Sequence, residues 1–567
     1  MSMQNVALNF KYWAKKNPNK LAVIHPTKEN ESDNKITYGD LDIRSNQLRE
    51  KFKKFEIGKG TKVLLFLRPS INFTVVMFAL FKAGAVPVLI DPGMGRKNLL
   101  QAIREVAPDI LIAEPEAHIA RLIFRRPFNS IKYFITTKNK FAPMRARALA
   151  MIAHYLGGAY YLEQLLQNDH HNFEDHSHIE EMSENDLGAI LFTSGGTGVP
   201  KGVEYTHKIF NTQIKMLRDV YGLNENDIDL PGFPFFALFT LNMGLTVCFP
   251  EMDPTKPAEV DPQKIIKNIL DHKITFAAGS PAIWERVADY AVEKNIKLPT
   301  IKYLVMFGAP VKISIHQKFL KILTHSQANT FTPYGATESL PLTNVCGREV
   351  LSIGAEQTPK GKGMFVGRAV NDVEIKIIEI RNGVIENLKD VSELAVGEIG
   401  EIIVSGPIVT QNYYNKPDKT RLAKIKDSNS NSERIWHRMG DVGYLDISGN
   451  LWFCGRKDHV VYSNDGRANY TIPCEAIFNR HPQIRRTALI GIGGMGLAVE
   501  RIDGRVKMKK SEQLLFEREL KELGEEFEIT KDIKRFYYFK KFPVDIRHNI
   551  KIDRQKLAKL ANHSSYS

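Results

Sequence analysis

Within ten positions, Thr193-Ser194-Gly195-Gly196-Thr197-Gly198-Val199-Pro200-Lys201-Gly202 gathers hydroxyls, glycines and one lysine. Glycines let successive backbone N–H groups turn toward one point, the hydroxyls add donors, and Lys201 adds a charge. Such a loop can cradle an anion, above all a phosphate. It is not the P-loop, in which Gly precedes the lysine, Ser or Thr follows it, and a helix begins. Here Pro200 and Gly202 flank Lys201, and the chain runs on into Val203-Glu204-Tyr205, which reads as a strand. The bland alternative is a polar surface loop, and matching pieces downstream speak against it.

The elements that must position this loop are legible around it. Leu187-Gly188-Ala189-Ile190-Leu191-Phe192 is a short apolar run and reads as a buried strand leading in. Thr206 can cap a following helix, in which Phe210, Ile214, Leu217 and Tyr221 recur on one face. Upstream, Phe73–Lys82 reads as a helix and Val86–Ile90 as a strand. Downstream, Ile274–Ala278 and Tyr303–Phe307 read as strands, each followed by Gly and Pro. This alternation predicts an α/β fold of layered, largely parallel sheets. Past Gly367 the text turns β-rich: Glu398–Val404 is one strand, and Gly443–Asp446 with Leu451–Phe453 form a hairpin around Ser448-Gly449-Asn450. The last hundred or so residues read as a small α+β unit, with its border near Gly455-Arg456-Lys457-Asp458.

Five further pieces follow the loop in chain order: Gly308-Ala309-Pro310, Tyr334-Gly335-Ala336-Thr337-Glu338, Gly440-Asp441, Gly455-Arg456-Lys457-Asp458 and Lys551-Ile552-Asp553-Arg554. Singly each is a turn or a helix start. As six pieces in order over about 360 residues, they resemble the acyl-adenylate-forming superfamily of acyl-CoA synthetases, adenylation domains and luciferases. The resemblance covers nearly the whole chain. It implies a large layered α/β N-terminal domain, residues 1–455, and a small mobile α+β C-terminal domain, residues 456–567.

The resemblance also implies a site. ATP would lie on Thr193, Ser194, Gly195, Gly196, Thr197 and Gly198, with Lys201 beside them. Gly308, Ala309 and Pro310 would line the adenine, and Tyr334, with Gly335, would stack on it. Thr337 would contact the α-phosphate and Glu338 would help hold Mg²⁺. Asp441 would take both ribose hydroxyls, as a carboxylate with two acceptor oxygens can. Arg456 would lie near ribose and phosphate, Asp458 would be the hinge pivot, and Lys551 would bridge the carboxylate and the α-phosphate. Joining two anions requires amides, Mg²⁺ and lysine to offset their repulsion.

The sequence departs from the superfamily's pattern at Gly196, Tyr462 and Ile550, where Ser or Thr, lysine and glycine are usual. Phe233-Pro234-Phe235-Phe236-Ala237-Leu238-Phe239 stands where acyl-CoA synthetases carry an aromatic-His pair, so CoA as acceptor stays open. Gly232–Phe239, Met252–Pro257, Thr332–Glu338, His437–Asp441 and Phe542–Asn549 are similar to the β-lactone-forming branch that serves bacterial long-chain olefin formation. That likeness implies a long-chain 2-alkyl-3-hydroxy acid, adenylated and then closed by its own hydroxyl, with AMP and pyrophosphate released. His548 then either helps the hydroxyl react or merely approaches a capped helix. Fatty acyl-CoA ligation is the alternative reaction, and a silent acyl- or nucleotide-binding relative the contrasting class.

Bulk properties set the remaining limits. A chain of 567 residues exceeds one core. The net charge of +14 suits an anionic partner, yet no nucleic-acid motif accompanies it. Cys248, Cys346, Cys454 and Cys474 lack C-x-x-C spacing, which argues against a disulfide framework or zinc site and fits a reducing cytoplasm. Met1–Asn5 does not open like a signal peptide. Pro231–Pro250 carries no charge but holds three prolines, so it reads as an apolar pocket wall rather than a membrane span. His170, His171, His176 and His178 sit in a solvated connector without a metal frame. Gly491–Gly496 satisfies G-x-G-x-x-G, but strand-like text follows, so no dinucleotide site is expected. Arg121–Arg147 has eight basic residues and no acid. It is either a solvated face or a docking site for a pathway enzyme or an anionic membrane.

Overall fold

The computed structural model describes residues 4–26, 34–138, 144–167, 178–193, 200–428, 434–463, 465–492, 494–544 and 552–564, with Thr193, His563 and Ser564 by their backbone. Two largely parallel sheets form the first two thirds. One runs, edge to edge, through Tyr160–Tyr161, Tyr133–Thr136, Ile110–Ala113, Lys62–Phe66, Val86–Ile90, Leu187–Thr193 and Lys201–Thr206. Only its last pair is antiparallel. The other runs through Asn329–Phe331, Tyr303–Met306, Phe276–Gly279, Ile228–Pro231, Thr246–Cys248, Leu21–His25 and Asn34–Thr37, again antiparallel only at the end. Parallel strands covered on both faces must be apolar throughout, and Ile110–Ala113 is buried at all its positions.

Helix Ile71–Lys82 shows why its sequence lacks a polar face. It is buried continuously from Phe73 to Lys82 and shares one core with strands of both sheets. Its terminal lysine is tolerated there because Lys82 Nζ donates to Asp42 Oδ1 (2.6 Å), Ser45 Oγ (2.7 Å) and Asn46 Oδ1 (2.7 Å).

A third, antiparallel sheet carries Tyr334–Ala336, Ser339–Asn344, Met364–Ala369, Leu451–Arg456, Ile435–Leu445, Gly400–Ser405 and Glu374–Ile378, with Lys424–Lys426 beside Ile435–Leu445. Beyond it, strands Ile484–Gly491, Met495–Arg501 and Phe536–Phe539 pack with helices Thr471–Phe478, Lys510–Glu525 and Arg554–Ser564 around cores of their own. The chain is thus an α/β protein with a large N-terminal and a small C-terminal domain.

The expected elements recur with shifted ends. The helix capped by Thr206 spans His207–Tyr221, and Thr206 Oγ1 accepts the Ile209 N–H at 3.3 Å. The strand expected at Ile274–Ala278 is Phe276–Gly279, because Thr275 Oγ1 takes the Ile228 N–H (2.9 Å) in place of a ladder carbonyl. The Ser448-Gly449-Asn450 hairpin is longer than expected, with arms Ile435–Leu445 and Leu451–Arg456. The G-x-G-x-x-G stretch joins two antiparallel strands, with Gly491 opposite Met495, and no helix follows it. Pro231–Pro250 lines a cavity at Phe233, Pro234, Phe235, Phe236, Phe239, Phe249 and Pro250, while Leu238, Leu241 and residues 243–248 are core. Among the described residues no helix is long and apolar enough to cross a membrane.

Candidate active site

Of the residues expected at a nucleotide, Lys201, Gly308, Ala309, Pro310, Tyr334, Gly335, Thr337, Glu338, Asp441 and Arg456 line one large cavity. Strands Tyr334–Ala336 and Ser339–Asn344 pair with Ala336 opposite Ser339, so Thr337 and Glu338 form the two-residue tip of a hairpin. Gly335 is required there, since a Cβ would meet the Ser339 carbonyl oxygen at 2.7 Å. The tip is held from behind. The Tyr205 hydroxyl donates to the Thr337 carbonyl (2.6 Å), and the Tyr413 hydroxyl donates to Glu338 Oε1 (2.7 Å). The Thr410 N–H donates to the Glu338 carbonyl at 2.9 Å.

Lys201 begins the strand beside this tip, and its Nζ lies 4.8 Å from the centre of the Tyr413 ring. Burial holds Lys201 below the ordinary lysine pKa, while the charge of Glu338 opposes that shift. Thr193 stands opposite Lys201 in the strand register, so both ends of the phosphate loop meet here. Ser194, Gly195, Gly196, Thr197 and Gly198 lie outside the described residues, as do Lys551 and His548.

Asp441 and Arg456 are brought together by strand register. They face each other across Ile435–Leu445 and Leu451–Arg456. Arg456 Nη1 donates to Asp441 Oδ1 and the Tyr334 hydroxyl donates to Asp441 Oδ2, each at 2.6 Å. Asp441 raises the pKa of Arg456 against the effect of burial, and burial with that same carboxylate pushes the Tyr334 hydroxyl well above its usual value. Gly440, inside strand Ile435–Leu445, takes φ 66°, which an L side chain would resist, where the register with Gly400–Ser405 shifts. Gly308 (φ 89°), Ala309 and Pro310 follow strand Tyr303–Met306 and line the same cavity.

On the other side of the cavity the wall is aromatic. Phe233 stacks on Phe307, with centroids 5.1 Å apart and planes at 29°, and Phe236 lies 4.8 Å from Phe307. Phe235 meets Phe239 edge-on at 5.7 Å. The cavity measures about 4060 Å³, far beyond the roughly 300–1,000 Å³ of a single small-molecule pocket. It has room for a nucleotide and a long chain together.

Sequence reasoning missed several residues of this site. Tyr205 and Tyr413 hold the hairpin tip through hydroxyls, and nothing in their spacing shows where those hydroxyls point. Lys424 is buried behind Glu338, opposite His437 in register, and donates to the Thr410 carbonyl. Burial brings its pKa down to about 7, with Glu338 opposing and Lys201 adding to the shift. In the small domain, Arg554 binds both oxygens of the buried Glu475, one at 2.9 Å.

A family model described as AMP-binding enzyme matches residues 10–414. The chain belongs to that family. It therefore shares an ATP-binding, adenylate-forming scaffold and is an AMP-forming ligase or synthetase. Among curated relatives, an olefin beta-lactone synthetase from Xanthomonas campestris pv. campestris is 39% identical over 98% of this chain and 97% of its own. One of the same name from Stenotrophomonas maltophilia is 37% identical over 98% and 97%. Among solved structures, ATP-bound MatB from Rhodopseudomonas palustris superposes with a TM-score of 0.72 at 19% identity, covering 99% of both chains. The amide bond synthetase McbA from Marinactinospora thermotolerans gives 0.74 at 19%, covering 98% and 99%. These two likenesses bear on the fold alone.

Proposed function

We propose that the chain adenylates a long-chain 2-alkyl-3-hydroxy fatty acid with ATP and Mg²⁺ and releases it as a β-lactone, with AMP and pyrophosphate. The observation that carries this reading is the near-full-length identity to olefin beta-lactone synthetases. The apolar wall Phe233–Phe239, which offers no histidine to an external acceptor, supports it.

In the first step a carboxylate oxygen bonds to the α-phosphorus and the bond to pyrophosphate breaks. Thr193, Ser194, Gly195, Gly196, Thr197, Gly198 and Lys201 take the phosphates. Thr337 takes the α-phosphate, while Asp441 and Arg456 take the ribose. Tyr334, Gly335, Gly308, Ala309 and Pro310 take the adenine. Lys551 bridges carboxylate and phosphate.

Mg²⁺ is held through one or two carboxylates plus substrate phosphates rather than an all-protein cage. Glu338, whose Oε1 accepts from Tyr413, would be the carboxylate that holds it. When bound, the ion would supply charge to offset the repulsion of the two anions.

In the second step the 3-hydroxyl oxygen bonds to the acyl carbon, the bond to AMP breaks, and the hydroxyl proton passes to the departing phosphate or to water. An internal nucleophile needs orientation alone, and held geometry can contribute about 7–11 kcal/mol to lowering the barrier. A packed aromatic wall on one side of the acyl group is suited to hold it. The large domain comprises residues 1–455, and residues 456–567 turn on Asp458 between the two steps, a lid-type motion.

Mass spectrometry of products from Mg-ATP and a long-chain 2-alkyl-3-hydroxy acid, with and without CoA, tests this. The expected product is the acid less one water, formed with AMP and independent of CoA. A thioester that appears only with CoA would make the chain a fatty acyl-CoA ligase instead.

A further inference from the structure

Helix Met144–Tyr155 packs inward through a narrow stripe, Ala150 and Ala153, and leaves its opposite side bare. That side is strongly apolar for a surface: Met144 is 85% exposed, Tyr155 76% and the following Leu156 77%, with Met151 and Ile152 between them. Ile123, at the end of the neighbouring helix Pro115–Ile123, is also largely exposed. Scattered apolar residues on a surface are ordinary, but a ridge on one helix needs a partner.

The charges around the ridge identify that partner. Residues 117–162 contain no Asp or Glu. Arg125, Arg126, Arg145 and Arg147 are exposed, and none forms an ion pair among the described residues. A protein surface that met this ridge would be apolar with acidic neighbours at several points, whereas an anionic bilayer offers both features everywhere. The arrangement, apolar side chains flanked by basic ones on a helix lying along the surface, is that of an interfacial helix.

The helix is also part of the wall of the large cavity. Ala146, Arg147, Ala150, Met151 and Tyr155 line it, as do Phe233 and Phe236 at the acyl side. We infer that helix Met144–Tyr155, with Arg125 and Arg126, seats the enzyme on an anionic lipid surface, so that a long acyl chain passes from the bilayer into the cavity. The purpose of this seat rests on the long-chain substrate reading, but the seat itself can be measured without any substrate.

The experiment is co-sedimentation of the full chain with vesicles of phosphatidylcholine alone and of phosphatidylcholine with about one third phosphatidylserine. Near-membrane basic residues each contribute about 1 kcal/mol on such surfaces. Joint replacement Arg125→Ala, Arg126→Ala and Arg145→Ala should therefore lower partition into the anionic vesicles about 100-fold. Ile152→Ser with Leu156→Ser should lower it further at high salt, where charge is screened. Neither set lines the cavity, so AMP release from a detergent-dispersed acid should stay at the parent level and report correct folding. Equal binding to both vesicle types, or no binding by a parent protein that turns over substrate, overturns the inference. So does sedimentation velocity showing that Ile152→Ser with Leu156→Ser converts a dimer to a monomer, which would give the ridge to a second copy.

Discussion

The two sides of the cavity are built on different principles. Around Asp441 and Glu338, where the nucleotide is proposed to bind, side chains are tied by directed bonds: Arg456 and Tyr334 to the two oxygens of Asp441, Tyr413 to Glu338, Tyr205 to the backbone of Thr337. Where the acyl chain is proposed to lie, the side chains of Phe233, Phe235, Phe236, Phe239 and Phe307 meet through ring contacts. Hydrogen bonds specify position but fail when one partner is lost, because the other is left unsatisfied. Ring contacts specify volume and give way gradually. A scaffold that keeps ATP fixed and lets the acid vary would be built this way.

Asp441→Asn should break the directed side most. It removes the charge that Arg456 pairs with and one of the acceptors proposed to take the ribose. Hydrogen bonds to charged groups contribute about 1.5–3 kcal/mol each, so the KM for ATP should rise about 10- to 100-fold, with the KM for the acid nearly unchanged. Steady-state pyrophosphate release at varied ATP and varied acid measures both. A rise confined to the acid would mean that the two sides are not separable.

Phe236→Ala sharpens the comparison from the other side. Phe236 is half-buried, lines the cavity and touches both Phe233 and Phe307. Its removal should raise the KM for the acid about 10-fold, a loss consistent with about 1.5 kcal/mol of apolar contact. It should also shift the preferred chain toward bulkier acids and leave the ATP dependence alone. Competition between acids of two chain lengths in one assay reads the shift directly.

The same contrast decides how much could be read from the chain. Parallel strands such as Ile110–Ala113 and the capped helix His207–Tyr221 announce themselves by apolar runs and a cap. Asp441, Tyr334 and Glu338 are visible because short motifs with little freedom surround them. Tyr205 and Tyr413 are not, because a tyrosine reads first as core, and only tertiary packing shows where its hydroxyl ends. Asp441 facing Arg456 needs the register of a hairpin whose arms proved longer than the turn alone implied. The uncharged Pro231–Pro250 run is half wall and half core for a similar reason: apolar text does not say which side of a sheet it will cover.

Lys424 lies where the polar network runs too deep to be solvated, and it marks the limit of that design. It is buried, it donates to the Thr410 carbonyl and, at 3.5 Å, to Thr410 Oγ1, and burial brings its pKa from 10.5 to about 7. Between those values the unfolded chain binds a proton at this lysine that the folded chain does not, so stability rises with pH across that window. Below about pH 7 both states are protonated and the full cost of burying the cation is felt. Lys424→Met keeps the chain's length and removes the charge, leaving the Thr410 carbonyl short of one donor. The variant should therefore melt at a higher temperature than the parent near pH 6, and its advantage should shrink steadily as pH is raised toward 10. Thermal unfolding at pH 6, 8 and 9.5 measures this. An advantage independent of pH would show that packing, rather than the buried charge, sets the difference. A loss at every pH would show that the bond to Thr410, which also carries the N–H that fixes Glu338, outweighs the cost of the cation.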